Sequence, residues 1–347
     1  MTTGAADAAR AVLAPQTRAA RFLVLTVRPG GEAAVRELLP DLAGLRRSVG
    51  LRADRARLSC VTGLGSELWD RLFDGPRPAG LHPFQELRGP RHTAPATPGD
   101  LLFHLRAERP DACFELAGQL LGRLAGAADV VDETVGFEYF ERRDLTGFVD
   151  GTENPEGAAA ERAALIGAED PRFAGGSYAV VQKYRHLLPE WEALTTEQQE
   201  RAIGRTKLAD IELVGKEQPA DSHVSLTSLD PDADGRAQEI LRHNMPYGSY
   251  LDGDIGTYFI GYCRTPAITE EMLRNMFLGR GEAPHDRLLD FTTATTGGLF
   301  FVPPADLLDD PPPPTAERPR PRTDWSLGIG SLKRPHETRP DEGDPTR

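Results

Sequence analysis

The sequence predicts an α+β protein made of two ferredoxin-like domains, each an antiparallel sheet flanked by helices. Helical segments alternate with strands, yet pairs of strands also follow one another with no helix between them. That order suits an antiparallel sheet better than a doubly wound parallel one. The same succession then appears a second time, and 347 residues exceed one typical domain.

In the first half, residues 22–27 (FLVLTV) read as a strand and 31–47 as a helix. A second strand is expected at 58–61 and a short helix at 66–73. Between them Gly63-Leu64-Gly65 lacks the full dinucleotide fingerprint and reads as a tight turn. A strand at 101–106, a helix at 110–125 opened by Pro110, and an aromatic strand at 135–140 complete this half. Proline suits the first helical turn, where its missing N–H has no intrahelical partner to lose.

The second half repeats the theme. Residues 177–184 are rich in Val and Tyr and read as a strand, and 195–203 as a helix with Thr195 as N-cap. A strand follows at 255–262, then a helix at 269–278 with Thr269 as cap. Glu270 and Glu271 would stand in its first turn, where the macrodipole favours negative charge. Residues 298–302 close the set. The expected organisation is a flexible N-terminus over 1–20, domains at 21–146 and 147–305, and a tail over 306–347. The tail carries Pro311 to Pro314 and alternating Arg and Pro, a composition that cannot bury a core and predicts an extended or disordered segment.

A net charge of −13 supplies no basic patch for nucleic acid or an anionic membrane. The three cysteines, Cys60, Cys113 and Cys263, are odd in number and lack C-x-x-C spacing. They form neither a disulfide framework nor a zinc motif, and suit a reducing compartment. Residues 1–21 lack the apolar run of a signal peptide, and no segment reaches the apolar length of a membrane span. A cytoplasmic location is the expectation.

The most informative stretch is Gly147-Phe148-Val149-Asp150-Gly151-Thr152-Glu153-Asn154-Pro155. An Asp-Gly pair is usually a solvated turn, but Gly151 also lets the chain pass close to a ligand, and Asn154-Pro155 reads as a turn. Downstream lie Asp221-Ser222-His223-Val224 and Arg242-His243-Asn244. These strings, in this order, resemble the signatures of dye-decolorising peroxidases, most closely the bacterial type B subgroup. Segments 203–207 and 290–301 are similar too, so the likeness spans about residues 20 to 305.

The resemblance implies two ferredoxin-like domains with haem bound mainly by the second. It implies His223 as axial iron ligand, Asp150, Arg242 and Asn244 on the opposite, distal face, and Gly151 and Thr152 beside the cofactor. A haem iron needs only one axial protein ligand, whereas zinc needs three or four. His243, next to Arg242, is the rival ligand. With no C-x-x-C-H, the cofactor would be haem b held non-covalently, one per chain. The ligand's second ring nitrogen should donate to a carboxylate; Asp286 and Asp290 both qualify.

Hydrogen peroxide must lose one proton and have it returned to the departing oxygen. An ionised Asp150 can shuttle it, and Arg242 can stabilise the negative charge that develops as the O–O bond breaks. Asn244 can orient the peroxide; two residues from Arg242, it would share one side of an extended segment. Arg205 and Lys207 can pair with haem propionates, though solvated charges are the commoner reading. Trp191, Tyr247 and Tyr250 can relay electrons, though most such aromatics are core.

The expected activity is reduction of peroxide with one-electron oxidation of small organic donors such as dyes and phenolics; Mn2+ and lipid or protein donors stay open, since the acidic surface would tolerate a cation without specifying one. A haem-carrier or haem-handling role with incidental peroxidase activity is the alternative, but carriage alone requires neither Asp150 nor Arg242. The family forms homo-oligomers. Within the tail, Leu327, Ile329 and Leu332 interrupt a polar stretch, and Leu327 and Ile329 project to one side when extended. Residues 326–334 resemble the cargo-loading peptide that directs such peroxidases into an encapsulin shell, with the Pro-rich segment as spacer.

Overall fold

The computed structural model describes residues 11–53 and 55–315. The first half contains four principal strands, β1 (Ala19–Val27), β2 (Ser59–Leu64), β3 (Leu101–Ala107) and β4 (Ala128–Phe137), all paired antiparallel in the order β2-β3-β1-β4. The helices are α1 (Glu32–Leu38), α2 (Leu42–Arg52), α3 (Ser66–Leu72) and α4 (Pro110–Arg123).

The second half contains helix α5 (Gly157–Ala164), strand β5 (Ser177–His186), helices α6 (Leu188–Glu192), α7 (Thr196–Ile203) and α8 (His223–Thr227), and strands β6 (Leu241–Arg242), β7 (Met245–Ser249) and β8 (Asp254–Cys263). Helix α9 (Pro266–Leu278), strands β9 (Thr292–Ala294) and β10 (Gly298–Val302) and helix α10 (Ala305–Asp309) follow. Strand β5 pairs with β9 and β10 on one edge and with β8 on the other; β8 then pairs with β6 and β7. Both halves therefore share the ferredoxin-like strand order.

The two sheets also meet at both edges. Phe301 of β10 pairs with Leu64 of β2, and Tyr247 of β7 with Gly136 of β4, so the strands close into a ring. The alternation of side chains along each strand divides the apolar residues between two cores. Phe22, Val24, Leu102, Val181, Tyr258, Ile260 and Phe300 fill the inside of the ring. Leu23, Leu25, Phe103 and Leu105 face outward and pack with Val35, Leu38, Leu116 and Leu120 of the helices. Closure removes the open edges that two separate sheets would have left.

Several boundaries differ from the sequence reading. The helix expected over 31–47 is broken by a 3-10 turn at Leu39–Asp41 containing Pro40, then resumes to Arg52. Strand β4 begins at Ala128 and stops at Phe137, short of Phe140. Gly63 and Leu64 continue β2 and make no turn; a Cβ on Gly63 would stand 2.7 Å from Phe300 Cβ. Helix α9 starts at Pro266, so Thr269 is no cap but a buried interior residue whose hydroxyl bonds Cys263 Sγ at 3.4 Å. Thr195 does cap α7, in a reciprocal capping box with Gln198.

The tail departs from expectation at its start. Residues Ala305–Asp309 are helical. Beyond them Pro312 accepts a bond from Arg36 Nη1 at 2.9 Å, Pro313 one from the Asp74 amide at 2.9 Å, and Pro314 forms a bridge with Phe73. The proline carbonyls are strong acceptors even without a donor of their own. The remainder, including the loading sequence at 326–334, lies outside the described residues.

Candidate functional site

A cavity of about 350 Å³ opens in the second half of the chain. Gln182, Tyr184 and His186, alternate residues of β5, and Thr257 and Phe259 of β8 form one wall. Helices α8 and α9 form another, through His223, Val224, Thr227, Met272, Leu273 and Met276, and the loop bearing Asp150 to Glu153 closes a third side.

Among the described residues two histidines line this cavity, and their hydrogen bonds distinguish them. His186 uses both ring nitrogens on hydroxyls, Nδ1 with Thr292 at 2.9 Å and Nε2 with Thr257 at 3.0 Å, and burial pushes its pKa down to about 4. His223 bonds only through Nδ1, 2.6 Å from Asp286 Oδ2; among the described residues its Nε2 has no hydrogen-bond partner. Asp286 is fully buried, and its other oxygen accepts the Leu288 amide at 2.9 Å. That choice was open in the sequence. Asp290 instead contacts His92 and His285, both at 3.1 Å.

The local fold explains why His223 is placed so well. Ser222 caps α8, its hydroxyl accepting the Ser225 amide, so His223 is the first helical residue. The Arg287 amide donates to the Asp221 carbonyl at 2.9 Å, which ties this helix to the turn that carries Asp286.

Opposite elements supply the remaining polar groups. Asp150, Arg242 and Asn244 all line the cavity, while His243 between the last two does not. Alternation along an extended segment turns His243 into the ring interior, where Nδ1 meets the buried Arg106 guanidinium and the ring packs edge-on to Tyr262. Burial and then Arg106 hold its pKa well below the ordinary histidine value. The rival ligand is thus committed elsewhere.

Asn244 bridges the group. Its Nδ2 donates to Asp150 Oδ1 at 3.2 Å and its Oδ1 accepts the Ile260 amide at 3.1 Å. Arg242 is held by its backbone: Asn154 Oδ1 accepts its amide at 2.9 Å, and Asn154 Nδ2 donates to its carbonyl at 2.7 Å. The guanidinium Nε of Arg242 is buried with no partner among the described residues. A buried charged donor left unpaired is costly, which points to an anionic or polar group that belongs in the cavity. In the sequence Asn154 carries only a turn signal; its amide side chain, placed after the Asp-Gly, is what makes the grip on Arg242 possible.

Asp150 carries a raised pKa. Burial is the main cause and neighbouring Asp144 adds to it, while Arg242 and the Asn244 hydrogen bond oppose it. Gly151 has φ +85°, the left-handed backbone that glycine adopts without strain. Asp150 and Asn244 also line a second, smaller cavity of about 180 Å³ with Glu138, Tyr139, Arg142 and Pro246. They stand between the two.

Other sequence candidates fall in different places. Gly151 and Thr152 border the large cavity, and Thr152 donates to Asp210 at 2.5 Å. Arg205, only 12% exposed, reaches the cavity rim and pairs with Asp210 at 2.8 Å and Glu153 at 2.6 Å. Lys207 does not line it; its Nζ donates to Gln199 at 2.7 Å. Neither is a solvated charge. Trp191 and Tyr247 are buried core residues, and Tyr250 is exposed.

Residues 9–138 match the family model described as Dyp-type peroxidase, N-terminal, and residues 141–307 the one described as Dyp-type peroxidase, C-terminal. A dye-decolorizing peroxidase of Mycolicibacterium paratuberculosis is 59% identical over 93% of this chain and 92% of its own length. One from Mycobacterium tuberculosis is 57% identical over 93% and 96%. Among solved structures, the encapsulated DyP-type peroxidase from Mycobacterium smegmatis superposes with a TM-score of 0.86 at 59% identity, covering 88% of this chain and 98% of that one. DyPB from Rhodococcus jostii RHA1 gives 0.84 at 52% identity, covering 87% and 97%; variants of that protein were solved in complex with heme. Fold and relatives together define a two-domain α+β peroxidase. The chain belongs to the Dyp-type peroxidase family.

Proposed function

We propose that the large cavity holds one haem b per chain, non-covalently, with Nε2 of His223 as the axial iron ligand, and that the enzyme reduces hydrogen peroxide while oxidising dyes and phenolics. One observation carries this reading. Among the described residues two imidazoles line the cavity, and of these only His223 keeps a nitrogen free, while a buried carboxylate fixes its other nitrogen. The unpaired Nε of Arg242 fits a group that supplies polar partners, and no cysteine lines the cavity among the described residues. Gly151 and Thr152, at the rim, would contact the cofactor edge. Bound haem would supply a redox-active iron for peroxide reduction and for one-electron oxidation of donors.

The protein's own groups would then manage proton and charge. Peroxide enters through the smaller cavity and meets Asp150 and Asn244 at its inner end. Asn244 positions the peroxide, and ionised Asp150 takes the proton from one oxygen and passes it to the other. Arg242, locked by Asn154, holds a positive charge where negative charge develops. Carriage of haem alone would require none of this arrangement.

The raised pKa of Asp150 sets a pH dependence. Proton uptake needs the carboxylate, so the rate falls as pH drops through that pKa. The fall occurs at higher pH than an ordinary carboxyl would give. A pH series of the peroxide reaction should show this acidic limb in the wild type and lose it in Asp150→Asn. An unchanged limb in the variant would assign the titration to another group.

We further propose that the protein is a homo-oligomer packaged in an encapsulin shell through residues 326–334. Support comes from the apolar residues in that stretch and from the encapsulated relative. The chain is anchored up to Thr315, whose hydroxyl donates to the Asp70 carbonyl at 3.0 Å, so a truncation after Arg322 leaves that anchor intact. The truncated enzyme should retain full peroxidase activity and fail to enter co-expressed shells; encapsulation equal to the full chain would dismiss the role.

A further inference from the structure

A second group of ligating side chains stands outside the cavity. Nε2 of His92 and Nε2 of His285 each lie 3.1 Å from the same oxygen, Oδ1 of Asp290. The ligating atoms of the three residues fall within 4.8 Å of one another. His285 is buried, His92 and Asp290 are half-buried, and none of them lines the haem cavity.

We propose that His92, His285 and Asp290 form a binding site for a divalent transition-metal ion of the zinc type. Two imidazole nitrogens and one carboxylate oxygen are the donor set that zinc, cobalt, nickel and copper prefer over magnesium or calcium. Zinc bonds of about 2.0–2.2 Å at near-tetrahedral angles separate ligand atoms by roughly 3.3–3.5 Å. Both nitrogen–oxygen edges are within a few tenths of an ångström of that. The nitrogen–nitrogen edge, at most 4.8 Å, would close by rotation of the half-buried His92 ring. Each imidazole coordinates through an unprotonated Nε2, with its proton at Nδ1. Three protein ligands leave the fourth position for water or a small molecule, on the side where His92 and Asp290 reach solvent.

The backbone already holds the three together. His92 sits in the turn of a two-stranded ribbon (Leu87–Arg88 with Thr93–Ala94), and its carbonyl accepts the Gly89 amide at 2.9 Å. A Cβ on Gly89 would stand 1.9 Å from the Phe277 carbonyl oxygen, so this turn lies directly on α9. Asp290 ends the 3-10 turn Arg287–Asp290, which the Asp286 side chain caps, and His285 immediately precedes that cap. Arg91 Nη1 approaches Asp290 Oδ1 at 3.9 Å, but its side chain is 66% exposed and can swing clear.

The full-length protein as purified, freed of loose metal with EDTA, is titrated with zinc chloride by calorimetry, and its metal content is measured after gel filtration. One zinc per chain is expected. His92→Ala and Asp290→Asn should each weaken it by more than the about 10–100-fold that loss of a merely supporting partner costs. His82→Ala, which removes a partly buried histidine paired with Glu270 outside the cluster, should change nothing. Zinc K-edge absorption of the wild type should show two imidazoles. Absence of stoichiometric zinc, binding undiminished in both variants, or a spectrum without imidazole scattering would each overturn the site. Should the variants misfold, the wild-type spectrum decides alone. None of these readouts depends on His223 or on haem.

Discussion

Replacing His223 with alanine should leave the protein nearly free of haem, with the Soret absorbance per chain down by about 10-fold or more, since the substitution removes the proposed axial ligand. The geometry makes a substitute ligand hard to find. His186 is bound at both nitrogens and His243 faces Arg106 inside the strand ring. The substitution also strands Asp286, a buried carboxylate whose partners are His223 and the Leu288 amide. Leaving a buried acceptor without its hydrogen-bond partner costs about 1–3 kcal/mol, so the variant should melt earlier as well. Imidazole in the buffer tests the two effects separately: it can occupy the vacated space, bond Asp286 and restore the Soret band. Asp286→Asn keeps the ligand but weakens its support, and a loss of about 10–100-fold in affinity is expected. A His223→Ala protein with an unchanged haem spectrum would refute the assignment.

Arg242→Leu should slow the absorbance change that follows mixing with peroxide by about 10²-fold or more, the effect of removing a preorganised charge stabiliser. Preorganisation is visible in the backbone: the paired Asn154 bonds hold the residue before any ligand arrives. Leucine leaves those bonds in place and removes only the charge and its donors. Asp150→Asn should slow the same step less, because water from the adjoining cavity can relay the proton. Stopped-flow mixing of the haem-loaded proteins measures both. Rates equal to wild type in Arg242→Leu and Asp150→Asn alike would show that neither group acts on peroxide.

Much of this was legible in the residues. Apolar, Val-, Tyr- and aromatic-rich runs located most of the longer strands but not Leu241–Arg242, Met245–Ser249 or Thr292–Ala294, and Thr195 marked the start of α7. Errors clustered where local signals compete. Pro40 breaks a helix into two, and Thr269 resembles a cap yet lies one turn inside a helix opened by Pro266. The start of the tail has a disordered composition, but Arg36 and Asp74 supply donors for its carbonyls.

The sequence by itself determined the two-domain α+β class, the family, and which side chains to examine, because strand-like runs, their order and short motifs are properties of neighbouring residues. Tertiary structure alone decided which carboxylate serves His223, since Asp286 and Asp290 are four residues apart and only packing shows that one meets His223 while the other meets His92 and His285. It alone showed Asn154 gripping Arg242 across 88 positions, and the two sheets closing through Tyr247 with Gly136 and Phe301 with Leu64. Each of these is a contact between distant segments, and its geometry depends on how the whole core packs rather than on any local preference of the chain.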